Sequence, residues 1–395
     1  MLRLRTLGAF ALAGVLALST SILPAQSATL APNDWSSAGR SSARTGYNRD
    51  GGLVATNVAN MVTRWSVSGG KFSAPITVRN QIVVANNSVN GHSRLDAYNI
   101  ATGTLNWSVD YGLSSGSTVG SPATDGARAF VMVERASGSL WRYALYAYDL
   151  TTGAKVWAVS LGTGPSRLGT RPVLTAGGYV FAQSTYQNAF RRTLKYSAGG
   201  VYQWTVQQPT SIRATAISGG ALYHSTDTAI LKYDVDTALF LGQVNVGATS
   251  LAISGDAIYY ANSAVAGAFD KDSSFPLWTM PLSPSCGAYV RVVTTSVAAI
   301  SRCATAAPYV VHSISGGVPS VPFQIGVGDV PIAASKQVMI AVTATGGLRA
   351  WNLLNGDSLV IKQPTAPARL SGQSGPVVGG GVIVVPENGR LEVIG

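Results

Sequence analysis

Three features of the sequence predict an all-β protein: a strand–turn–strand unit recurs along the chain, its anchor positions keep a nearly constant period, and each end of the chain carries half of the unit. Together they specify an eight-bladed β-propeller of four-stranded antiparallel blades, with the ring closed by N- and C-terminal strands in one blade.

The unit is clearest at Ala147-Tyr-Asp149-Leu-Thr-Thr-Gly153-Ala-Lys-Val-Trp157. Tyr146 and Tyr148 alternate with small or polar neighbours as in a strand, Asp149 to Gly153 supply turn chemistry, and Val156 and Trp157 open a second strand on an aromatic anchor. Copies at the same spacing run from Ala97 through Gly103 to Trp107, from Ala268 to Trp278, and from Ala350 through Gly356 to Val360. Degenerate copies lead from Lys195 to Trp204, from Lys232 to Gly242, and from Val311 to Val321. The anchors at 65, 107, 157, 204, 242, 278, 321 and 360 recur roughly every 36 to 50 residues, the period of a propeller blade. Gly389 to Gly395 reads as the first strand of a unit that lacks its second, and Thr63 to Val67 as a second strand that lacks its first. Pairing them removes a sheet edge that an open array would expose.

Within each repeat two earlier strands precede the unit. Innermost candidates begin near Ala74, Ser121, Arg171, Arg213, Ser250, Arg291, Pro331 and Gly375, eight in all, matching the anchors. Turn signals such as Asp125-Gly126, Gly219-Gly220 and Gly379-Gly380 lead from them into apolar second strands. Helix has almost no support, because apolar spacing at a period of 3.6 and helix caps are missing after the first residues.

The repeat resembles the quinoprotein-like propellers built from PQQ-type repeats with an A-x-[DN]-x-x-T-G-x-x-x-W docking motif. The resemblance covers about residues 35 to 395, including a lead-in, Asp34-Trp35-Ser-Ser-Ala-Gly39 with Arg44-Thr-Gly46-Tyr-Asn48. It implies that the Trp of each blade stacks on the Ala and Gly of a neighbouring motif. The residues so implicated are Trp65, Ala97, Gly103, Trp107, Ala147, Gly153, Trp157, Trp204, Ala268, Trp278, Ala350 and Gly356. It carries little about function, since the repeat serves both redox enzymes and scaffolds.

Arg3 and Arg5, the apolar run Leu7 to Leu18 and the small residues Ala25-Gln-Ser27-Ala28 read as a secretory signal peptide. The expected organisation is thus residues 1–28 as signal peptide, 29–60 as lead-in and 61–395 as the propeller, in a monomer that is extracellular or periplasmic and has no membrane span in its mature chain. Losing Arg3 and Arg5 lowers the formal net charge from +11 to +9. Charged residues make up only 11% of the chain and form no Lys/Arg run, which argues against nucleic-acid binding.

Cys286 and Cys303, in a chain bound for an oxidising compartment, flank a candidate hairpin that would place them opposite each other, and a disulfide is expected. It would contribute about 3 kcal/mol. Two free buried thiols are the rival reading. A metal pair lacks further ligands at suitable spacing.

Catalytic chemistry is sparse. His92, His224 and His312 fall in different repeats, and Asp110, Glu134, Asp227 and Asp329 are scattered loop acids. PQQ-dependent dehydrogenases, which the fold resembles, commonly carry a vicinal cysteine pair and an acid cluster holding calcium; this sequence has neither. No cofactor is therefore expected, with PQQ and calcium kept only for an alternative oxidoreductase reading. Positive charge does gather in the segments entering the innermost strands: Lys71, Arg167, Arg171, Arg213, Arg291 and Arg369, with Tyr111, Tyr186 and Tyr289 nearby as stacking surface. The expectation is a basic mouth that binds an anionic envelope polymer, glycan or protein partner in a non-enzymatic binding or assembly module. A protein-assembly scaffold is the second alternative. Ordinary solvated arginines are the competing explanation of the charge.

Overall fold

The computed structural model describes residues 29–32, 34–48, 52–113, 115–165, 172–186, 190–208, 210–282, 289–294, 297–301, 309–312, 330–343, 347–362, 375–386 and 388–395. The signal-peptide reading, Arg167, Arg171, Arg369, Cys286 and Cys303 all lie outside them. The described residues form an all-β, propeller-like fold of 32 strands in seven sheets, with one four-residue helix, Ala55–Val58. No helix among them is long and apolar enough to cross a membrane.

Among the described residues the repeats fold as antiparallel meanders, because the turn residues lie where the sequence puts them and the alternating residues face neighbouring sheets. Four-stranded sheets run from Ala214 to Val244, from Ser250 to Pro281 and from Val330 to Lys362 in chain order. The two ends of the chain meet in an eight-stranded sheet, where Asn388–Ile394 pairs antiparallel with Thr63–Phe72 from Thr63↔Ile394 to Lys71↔Asn388, with register shifts after Thr63 and after Ser68. Beyond that pairing Thr63–Phe72 runs on to meet Gln81–Val89 at Lys71↔Asn87 and Phe72↔Asn86. Gly69 and Gly70 permit this crossing, since a Cβ on Gly70 would lie 1.9 Å from the Asn87 carbonyl oxygen.

Between neighbouring repeats the anchors make a repeated contact. Trp65 Nε1 donates to the Ile100 carbonyl at 3.0 Å, Trp107 to Leu150 at 2.9 Å, Trp157 to Ala198 at 2.9 Å and Trp204 to Val235 at 3.1 Å. In each case the acceptor lies in the turn of the next repeat. The rings lie flat against turn glycines: a Cβ on Gly103 would come within 2.6 Å of Trp65, and one on Gly153 within 2.7 Å of Trp107. Ala97, Ala147, Ala268 and Ala350 are fully buried, the first three opposite Trp107, Trp157 and Trp278. In the last repeat a register shift between Leu348 and Arg349 puts Leu359 opposite Ala350, one residue before the expected anchor Val360. Gly356 takes φ +77 in that turn.

Eight short strands form the inner ends of the sheets: Ile76–Val78, Ala123–Thr124, Leu174–Ala176, Ala214–Ser218, Ser250–Ser254, Tyr289–Val293, Val330–Ala334 and Val377–Gly379. The lead-in visits seven of them in chain order. Trp35 exchanges two backbone hydrogen bonds with Thr77, and Ser36, Ser42, Ala43, Thr45 and Gly46 accept from Thr124, Ile217, Ile253, Val293 and Ala334. Asn48 completes the circuit, donating its backbone N–H to Ala334 and its Nδ2 to Val378. The physical cause is the free edge of each inner strand: backbone groups facing the axis need partners, and a coiled segment of small residues can supply them one strand at a time. The coil is tight because Gly39, Arg40, Arg44 and Gly46 all adopt positive φ.

Candidate functional site

Above the lead-in the inner strands leave a cavity of about 380 Å³. Its floor is lead-in, including Trp35, Gly39 and Arg44, and its wall includes Arg213, Ser250 and Tyr289. The same two arginines line an adjoining recess of about 20 Å³ beside Gln183 and Thr215.

Arg213 stands one residue before the strand Ala214–Ser218, with its backbone N–H on the Ser225 carbonyl at 2.8 Å. Its guanidinium grips Asp227 in a fork, Nε to Oδ1 at 2.6 Å and Nη2 to Oδ2 at 3.0 Å. Hydrogen bonding to Arg213 holds the Asp227 carboxyl below its ordinary range, and the same bond raises the Arg213 guanidinium. Both groups remain about half exposed, so the pair is well screened and its contribution to stability is small. Arg44 is partly buried and sits at φ +60. Gly39 faces it at close range, where a Cβ would lie 3.2 Å from Arg44 Cα.

Trp35 is 1% exposed, and its Nε1 is buried without a hydrogen-bond partner. On the wall, Ser250 Oγ accepts the Val290 N–H at 2.7 Å, which leaves its own proton available to donate. The lining therefore presents two arginines and a hydroxyl, an array that favours a ligand rich in acceptor oxygens. It does not suit a hard cation, which requires several oxygen ligands, usually carboxylates. The neighbouring acid, Asp227, is already engaged by Arg213, and among the described residues no three His, Cys, Asp or Glu side chains are grouped to hold a metal ion. The calcium of the oxidoreductase alternative thus finds no fitting donor set in this cup.

Of the six basic residues expected at the mouth, the structure brings Arg213 to the cup. Lys71 is exposed but does not line it: the Gly69-Gly70 crossing keeps Lys71 inside a strand, paired with Asn87 and Asn388, where the sequence suggested a loop. Arg291 lies in the strand Tyr289–Val293, which borders the cup, and its side chain is outside the description. Tyr289 lines the cup and is 40% exposed. Tyr111 is buried instead, edge-on to Tyr146 and Tyr148, and that burial pushes its hydroxyl pKa well up. Asp110 pairs with His92 at 2.8 Å on an exposed surface. Arg44 and Trp35 enter the site although the sequence marked them only as lead-in. The available signal was a glycine-punctuated segment with a large aromatic and no place in the repeat.

An axial cup floored by a lead-in, within docked antiparallel sheets, defines a propeller of the PQQ-repeat class. A family model described as outer membrane protein assembly factor BamB matches residues 33–239, and the chain belongs to that PQQ-like repeat family. No curated protein matches the sequence. Among solved structures it is similar to quinohemoprotein alcohol dehydrogenase from Comamonas testosteroni, with a TM-score of 0.67 and 14% identity over 92% of this chain and 80% of that one. A europium-containing methanol dehydrogenase gives 0.66 and 10% over 92% and 98%. The computationally designed Ika8 protein gives 0.61 and 12% over 84% and 98%. At these identities the likeness is one of fold.

Proposed function

We propose that residues 61–395 form an eight-bladed ring closed by the pairing of Thr63–Phe72 with Asn388–Ile394, and that residues 29–60 seal one end of its axis. After removal of residues 1–28 the protein acts outside the cytoplasm as a non-enzymatic binding module. Its axial cup takes an anionic group from an envelope polymer, a glycan or a protein partner. The donor-rich lining, with Arg44 and Arg213 on one cavity, carries this reading. Asp227 tempers it: an incoming anion competes with that carboxylate for Arg213.

The test is titration calorimetry of the mature protein with polygalacturonate and with an acidic peptide, at low and at physiological salt. Binding to at least one is expected, with affinity falling steeply as salt rises. Arg213→Gln should weaken it and Asp227→Asn should strengthen it by releasing the guanidinium. No binding to either probe at low salt, or variants that bind as the parent does, would overturn the proposal. A scaffold role in protein assembly is the second reading, favoured by the family description and by the exposed apolar run Leu239-Phe240-Leu241.

A further inference from the structure

Resting on the anionic reading of the cup, we infer that the protein recognises the end of its ligand: one terminal, monosaccharide-sized group bearing a carboxylate or phosphate enters the cup, and the polymer does not thread the axis. Three observations support this. The lead-in is hydrogen-bonded to seven of the eight inner strands, so a chain passing along the axis would have to break that circuit. The cavity above it, at about 380 Å³, falls near the small end of the range for ligand sites, roughly 300–1,000 Å³. That is room for a single sugar ring and its acidic substituent, not for a polymer segment.

The third observation is the placing of the donors. Arg44 belongs to the lead-in floor, whereas Arg213 stands on the wall. A ligand that only crossed the rim would meet Arg213 and leave the floor unused. A terminal group reaching the floor offers acceptor oxygens to Arg44 and sets its oxyanion between the two guanidinium groups. A charged arginine pair does not separate carboxylate from phosphate by sign, so the two sources are separated by experiment.

Titration calorimetry at 20 mM salt would use glucuronic acid, glucose 6-phosphate, linear oligogalacturonides of two to six residues and long polygalacturonate. Expected are binding of at least one of the two monomers, one protein per chain end, and affinity per chain that changes less than threefold with length. Arg44→Asn removes the floor guanidinium and, since Asn tolerates the left-handed backbone at this position, should weaken monomer binding about tenfold without lowering the melting temperature. Should that variant misfold, Arg44→Gly provides the same test, since glycine adopts the left-handed backbone at this position without strain. Tighter binding of glucuronic acid assigns a carboxylate end, and tighter binding of glucose 6-phosphate a phosphate end. Affinity rising in proportion to length, several proteins bound along one polymer, or indifference to the folded floor variants would overturn end recognition while leaving anion binding intact. If neither monomer nor polymer binds, both readings fall.

Discussion

The contact between neighbouring repeats is made in two chemically different ways. At Trp65, Trp107 and Trp157 an indole stacks on the next turn's glycine and donates to its carbonyl. In the repeat whose anchor position is Gly242 there is no indole, and the residue opposite it, Lys232, extends its ammonium to the Lys271 carbonyl at 2.8 Å. Lys271 holds the same place in its turn as Ile100 and Leu150 in theirs. The intermediate case joins both: Lys195, 2% exposed and opposite Trp204, shares the Val235 carbonyl with that indole and packs 3.7 Å from the Tyr179 ring centre. What persists is a turn carbonyl that needs a donor, and either side chain can provide one. Tryptophan requires a small residue beneath it, whereas glycine at the anchor leaves room for a lysine stem.

Removing a ring should give the largest effect. Trp107→Ala deletes a buried indole and is expected to cost about 3–5 kcal/mol, read as a lower midpoint in urea unfolding. Gly153→Ala should follow at roughly 2–3 kcal/mol, because φ +70 disfavours a side chain and the new Cβ would sit 2.7 Å from the Trp107 ring. A loss no larger than that of an exposed surface substitution in either variant would show that ring stacking is not what joins these repeats.

Lys232→Met tests the other arrangement. It leaves the Lys271 carbonyl without this donor and should cost about 1–2 kcal/mol, whereas Lys195→Met leaves the Val235 carbonyl still served by Trp204. Combining Lys195→Met with Trp204→Phe should therefore cost more than the sum of the two single changes; strict additivity would break the equivalence of the two donors. Ala238 occupies the glycine position of its turn at φ +63, so Ala238→Gly is expected to raise stability by up to about 1 kcal/mol. Unchanged or lower stability would contradict it.

The smallest effect concerns the turn acids. Asp234, hydrogen-bonded first by the Thr237 hydroxyl, and Asp270, by the Ser273 backbone, have carboxyl pKa values below their ordinary range. A carboxylate depressed on folding contributes stability above its unfolded pKa and loses it as pH falls through the folded value, so this contribution disappears only below the ordinary carboxylate range. Asn99 and Asn352 accept the same turn N–H groups without titrating. Asp234→Asn with Asp270→Asn should thus keep neutral-pH stability and flatten the acid limb of the stability profile, measured by thermal melts between pH 2 and 5.

The docking pairs were readable because motif and anchor lie within one local unit, Ala147 to Trp157 for example. The lysine contacts were not: Lys232 meets Lys271 only after two repeats pack, and in the sequence Lys232 looks like a decayed alanine position. For the cup, Arg213 was legible from its place before an inner strand, but its pairing with Asp227 depends on the hairpin that brings the two together. Arg44 and Trp35 carried no periodic signal at all.

By itself the sequence determined the repeat, the strand alternation, the turn chemistry and the complementary half-units at the two ends, because each of these rests on neighbours a few residues apart or on a regular spacing. Only the tertiary structure decided that the lead-in hydrogen-bonds to the inner strands, that Trp35 and Arg44 line one cavity with Arg213, and that Lys71 stays in a strand. The reason is physical: the lead-in is held chiefly by backbone hydrogen bonds to Thr77, Thr124, Ile217, Ile253, Val293 and Ala334, and backbone groups are the same in every residue.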